Sequence, residues 1–195
     1  MTRLLTVFLS ALAALGCVSA QASPNAQTAV DKTREYFNEA LALRAQTDEI
    51  GTLSCVQYNL NMGPYTKIVP TLERIKGIFD AYKQIVNFQP PLDLSIPEEA
   101  AAGNSIVYFL GAATIEIGGA FDRMTKTGTA NLCNLPTLGT KIKKALQDVK
   151  AVSRPFYLSL ATFHLAEAQY IGGSLFSFES NIEAAIQVYS SPIPV

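Results

Sequence analysis

Residues 68–86 read IVPTLERIKGIFDAYKQIV, and their apolar positions Ile68, Leu72, Ile75, Phe79, Tyr82 and Val86 fall four, three, four, three and four residues apart. That is the period of one helix face. Residues 106–124, IVYFLGAATIEIGGAFDRM, carry nearly the same rhythm at Ile106, Leu110, Ala113, Ile117, Phe121 and Met124. Two helices with one apolar face each must bury those faces against partners. The chain is therefore expected to be all-α, and no strand-like alternation of any length competes.

Working outward, a first helix is expected from Ser23 or Pro24 to about Glu49, with Val30, Phe37 and Leu41 inward and Gly51 as its stop. Residues 51–64, with Asn59, Asn61, Gly63 and Pro64, read as a loop. Pro70 blurs the start of the second helix, and Pro90-Pro91 ends it after Phe88. A third helix opens at Ser95 with Glu98 three residues on, the spacing of a capping box, and runs to about Lys126. After a loop from Gly128 to Pro136, the positions Leu138, Ile142, Leu146, Val149, Val152, Phe156, Leu160, Phe163 and Tyr170 describe one long helix kinked at Pro155, or two helices broken there. Gly172-Gly173 makes a break before a last helix marked by Leu175, Phe178, Ile182, Ala185 and Tyr189. The expected architecture is an up-and-down bundle of about five helices.

The N-terminus pairs Arg3 with an apolar run from Leu4 to Leu15 and small residues up to Ala20, the pattern of a signal peptide and too short for a membrane span. Gly16-Cys17 fits a lipoprotein site poorly, because Ala14 and Leu15 precede it. The end of the chain lacks the apolar tail of a lipid-anchor signal. Cleavage after Ala20 leaves residues 21–195 as one secreted domain of 175 residues, with 14 basic and 16 acidic side chains. That charge argues against a nucleic-acid partner. Only Cys55 and Cys133 remain, and outside the cytosol they are expected to pair. In an up-and-down bundle the loops that carry them lie at one end.

The sequence holds no Gly-x-Ser-x-Gly elbow, no His-Glu-x-x-His motif, no Gly-x-Gly-x-x-Gly turn and no phosphate-binding Gly-Lys-Ser/Thr. Its one histidine, His164, has no companion at catalytic spacing, and Asp31, Glu35 and Glu39 read as a solvated helix face. Glu116 interrupts an uncharged run and reads as snorkelling or ion-paired. Neither enzyme, metal nor cofactor is expected.

Gly111, Gly118 and Gly119 sit inside the third helix, where each glycine costs roughly 0.5–1 kcal/mol relative to alanine. Something offsets that cost. Either another element packs very closely, or the missing side chains leave room that Phe79, Tyr82, Phe109, Ala113, Ile117, Phe121, Phe163 and Phe178 line as an apolar cavity.

The segments Leu72-Glu73-Arg74-Ile75-Lys76, Ile106 to Phe121, Leu146-Gln-Asp-Val-Lys150 and Asn181-Ile-Glu-Ala-Ala-Ile-Gln-Val-Tyr189 resemble, in order and spacing, the fungal hydrophobic surface-binding protein A and cell-wall galactomannoprotein family. The resemblance covers most of the mature chain. It implies a secreted all-helical protein that adsorbs to hydrophobic surfaces, sits in a cell wall, or holds fatty acids in an apolar interior. The chain departs from that pattern in being poorer in Ser, Thr and Asp, richer in aromatics, and equipped with a cysteine pair. The plant inhibitors of invertase and pectin methylesterase, a second group of secreted bundles, normally need two disulfides. The leading expectation is thus a fatty-acid or surface binder, in which Gln169, Tyr170 or a loop residue would receive a carboxylate. The alternative is a solid-core interaction module.

Overall fold

The computed structural model describes residues 22–86, 90–127 and 136–190, with side chains for 22–82, 90–127 and 137–190. The expected leader, the 128–135 loop with Cys133, and the side chain of Val86 lie outside the described residues. Everything described is helix or connection.

Helix α1 spans Pro24–Asp48, and Ser23 caps it by accepting from the Ala26 N–H at 3.3 Å. Its inner face holds Val30 as expected but differs further along. Tyr36, Ala40 and Leu43 are fully buried, whereas Leu41 is exposed and Phe37 only half-buried. The stripe runs one position earlier than the large residues suggested, because small residues at 26, 29 and 40 let a neighbouring helix approach closely.

The expected loop at 51–64 contains a short helix, α2 (Ser54–Asn59). Ser54 Oγ accepts from the Gly51 N–H at 2.9 Å, and Ser54 and Cys55 are buried. The turn after it places Asn61 at φ 57°, with bonds from Asn61 N to the Tyr58 carbonyl and from Met62 N to the Gln57 carbonyl. This is a Schellman closure with asparagine in the glycine role. Asn61 thus terminates a helix, and Asn59 is its last residue. Cys55 is disulfide-bonded; Cys133, the partner expected from the sequence, lies outside the described residues.

Helix α3 (Tyr65–Val86) begins before Pro70 and includes it in its second turn; Pro70 is exposed and Thr66, four residues earlier, is half-buried, so water can serve the carbonyl that the proline leaves without a donor. Helix α4 spans Pro97–Thr127. The expected Ser95–Glu98 box is replaced by a neighbouring arrangement. Asp93 Oδ1 accepts from the Ser95 N–H and hydroxyl, and Glu99 Oε2 accepts from the Asp93 N–H at 2.7 Å.

Helix α5 (Pro136–Phe163) passes through Pro155 without interruption. Ala151, four residues earlier, is exposed, so water can serve the carbonyl that proline leaves without a donor. The break comes at His164 instead, followed by a 3-10 turn at Leu165–Glu167. There the carbonyl of Phe163 accepts from the Leu92 N–H at 2.9 Å, so the preceding linker ends the helix. Helix α6 (Ala168–Val188) contains Gly172 and Gly173 in its interior, and Tyr170 belongs to it rather than to α5.

Helix α1 packs on α4 and α3, α3 on α5, α5 on α6, and α6 on α4, closing a helical bundle. At one end, Arg123 near the end of α4 donates to the Ile50 carbonyl just after α1, and Tyr58, Tyr65, Leu138 and Lys141 share a groove. At the other end, His164 lies against Gly103.

Candidate functional site

The residues expected to line a cavity are all buried, and the rings of four of them pack into one aromatic cluster. Phe79 stacks on Phe156 with ring centroids 4.3 Å apart and meets Tyr36 edge-on at 4.8 Å. Tyr82 meets Phe156 at 5.0 Å, and Phe178 lies 6.0 Å from Phe79 and 5.7 Å from Phe121. These are ordinary edge and stacking contacts. Tyr36, Phe156 and Tyr157 complete the cluster and were missing from the expected set. Tyr36 was legible only through the correct phase of α1, which Phe37 obscured.

Phe109 stands apart, against Phe37, with the Arg34 guanidinium 5.1 Å above its ring. Phe163 is buried at the end of α5, and Ala113 and Ile117 face inward from α4. None of the eight lines any of the described grooves.

The glycines of α4 receive side-chain tips. A Cβ on Gly103 would sit 2.8 Å from His164 Nε2, and one on Gly118 would sit 3.2 Å from Asn181 Nδ2. A Cβ on Gly111 would collide with the Tyr170 hydroxyl, and one on Gly119 with the Arg44 guanidinium. Polar groups from three neighbouring segments thus occupy the notches that the sequence left either for close packing or for a ligand.

His164 is buried and makes one bond toward the Gly103 backbone, while its Nδ1 has no partner. Burial lowers its pKa below the usual imidazole value, opposed by the nearby Glu167 carboxylate. The hydroxyls of Tyr65, Tyr82 and Tyr189 are buried with no hydrogen-bond partner among the described residues, and burial pushes the Tyr65 phenol up to about 12. Asp31, Glu35 and Glu39 pair with Arg34, Lys32 and Arg74, as a solvated face does. Glu116 is half-buried and forms no described ion pair. Among the described residues no group of three potential ligands is placed to hold a metal ion.

The surface carries the less ordinary features. The groove between α5 and α6 is crossed by Lys150–Glu183 and Arg154–Glu179 ion pairs beside the exposed Phe176. Gln169 and Tyr170, the expected carboxylate receivers, share an open groove with Thr114 and Ser174. From the N-cap of α2 to its closing turn, Leu53, Val56, Leu60 and Met62 are 66, 53, 68 and 61 % exposed. The other face of this helix holds the buried Ser54 and Cys55. Helix α4 is long and apolar enough to cross a membrane by length and composition, but its apolar stripe packs on α1 and α6. No protein-family model, curated protein or solved structure matches this chain.

Proposed function

We propose that this is a secreted, non-enzymatic protein that adsorbs to hydrophobic surfaces through exposed apolar side chains, its interior serving as scaffold. The observation that carries this reading is the set Leu53, Val56, Leu60 and Met62, each more than half exposed, at the N-cap of one short helix, within it and in its closing turn. Exposed apolar side chains are common singly, but a clustered set marks an interaction surface. The resemblance to the hydrophobic surface-binding family supports the same reading, as do the occupied glycine notches. The proposal includes the signal peptide, the up-and-down topology and a Cys55–Cys133 disulfide that ties α2 to the loop after α4.

The test is adsorption to hydrophobic beads, with and without saturating fatty acid. Wild-type protein is expected to adsorb in both cases, and the double variant Leu53→Ser/Leu60→Ser to lose most of its adsorption. Equal adsorption by the variant, or full competition by fatty acid, would overturn the reading.

A second reading, carriage of a fatty acid, is favoured by the buried, unpartnered hydroxyls of Tyr65, Tyr82 and Tyr189, each able to donate to a carboxylate. Mass spectrometry of organic extracts from purified protein distinguishes it, since that reading requires stoichiometric lipid.

A further inference from the structure

Apolar side chains are exposed at both ends of the bundle, and charge separates the two. The end with Leu94, Ile96 and Leu165 also carries Asp93, Glu98, Glu99 and Glu167. The α2 end carries Lys67 at the start of α3 and Lys141 and Lys143 at the start of α5, none of them in a described ion pair. Lys141 borders the same groove as Tyr58 and Asn59 of α2. The acids nearest this end are largely neutralised: Asp48 binds Arg44, and Asp122 binds Lys126. Glu49, and Glu73 further along α3, are acids on this side without a described ion pair.

We propose that the α2 end docks on lipid bilayers bearing anionic head groups, with Leu53, Val56, Leu60 and Met62 entering the interface and Lys67, Lys141 and Lys143 facing the head groups. This rests on the adsorption reading above and adds the chemistry of the surface and the orientation of the molecule on it. On an uncharged apolar surface only the greater exposure of Leu53, Val56, Leu60 and Met62 favours the α2 end. An anionic bilayer attracts the lysine-bearing end and repels the carboxylate-bearing one. Short apolar side chains beside lysines are the composition of an interfacial anchor, where burial of apolar area and attraction to anionic lipid act together. Each lysine near such a surface contributes about fivefold in partitioning, so three together contribute about a hundredfold.

The experiment is co-sedimentation of the purified protein with vesicles of phosphatidylcholine alone and of phosphatidylcholine mixed with phosphatidylserine, at low and high salt. Wild type is expected to bind the mixed vesicles, to bind neutral ones far more weakly, and to be released by salt. The variant Lys67→Gln/Lys141→Gln/Lys143→Gln is expected to lose about a hundredfold in partitioning to anionic vesicles. Leu94→Ser/Ile96→Ser at the opposite end is expected to change nothing. All these side chains are on the surface, and far-UV circular dichroism verifies that each variant is folded.

Equal binding to both vesicle types, or no effect of the lysine substitutions, would overturn the inference. If hydrophobic beads still take up the protein while anionic vesicles do not, the inference fails and the adsorption reading stands. If neither takes it up, both fail.

Discussion

At Gly103 a single hydrogen decides the packing of two helices. The backbone of α4 is bare there so that the buried His164 ring fits against it, and an added methyl group would lie 2.8 Å from Nε2. The ring belongs to a buried residue at a helix break, so it yields only by disturbing its neighbours. Gly103→Ala is therefore expected to destabilise by about 1–3 kcal/mol despite alanine's better helix propensity. Gly173, in the interior of α6, has nothing within 4 Å of a built Cβ. Gly173→Ala is expected to stabilise by about 0.5–1 kcal/mol. Urea unfolding of both variants checks the pair, and two shifts of the same sign would contradict the packing described. Glycine positions were legible in the sequence as an anomaly. The side chains that fill them were not, because Tyr170, Asn181, Arg44 and His164 lie 59, 63, 75 and 61 residues away from their respective glycines in the chain.

At the scale of the element, the end of α5 shows how local propensity yields to tertiary partners. Pro155 is the strongest helix breaker in the segment, yet the helix continues because its apolar stripe, Phe156, Tyr157 and Leu160, is buried on either side of the next turn. The chain stops helical winding at His164, where no sequence signal stands, because Leu92 from a remote linker takes the Phe163 carbonyl. The break also carries a pH dependence. Burial lowers the folded-state pKa of His164 below its ordinary value, with Glu167 the acid opposing the shift. The unfolded chain therefore takes up the proton first. The contribution from neutral His164 is complete above a pH of about 6.5 and is lost as pH falls from there toward the lower folded value. Urea midpoints measured from roughly pH 7.5 to pH 5 should fall more steeply for wild type than for His164→Gln, because glutamine does not titrate in that range. Parallel profiles would refute this assignment.

For the whole molecule, the proposed adsorption surface lies at one end of the bundle, where the expected Cys55–Cys133 pair would act as a staple. A Cys55–Cys133 bond closes a loop of about eighty residues, which in the chain-entropy model contributes on the order of 4 kcal/mol. Peptide mapping under non-reducing conditions is expected to recover the two cysteines linked. Reduction, or Cys55→Ser, is expected to lower stability by about 2–5 kcal/mol. Recovery of Cys133 as a free thiol would dismiss the staple. Because Cys55 sits under the exposed row on α2, loss of the bond should also weaken adsorption.

The sequence by itself determined the class of the fold. Apolar positions at helical period, repeated in successive segments, leave burial of matched faces as the only economical arrangement. It also determined most of the buried set, from Ile68 to Tyr82 and from Ile106 to Met124, because periodicity is a local property of the chain. Tertiary structure alone decided where α5 ends, which phase of α1 faces inward, and that a segment rich in asparagine winds into α2. It alone decided what meets the glycines of α4 and which apolar side chains stay outside. Each of these depends on groups distant in sequence arriving at one place, and spacing along the chain carries no record of such meetings.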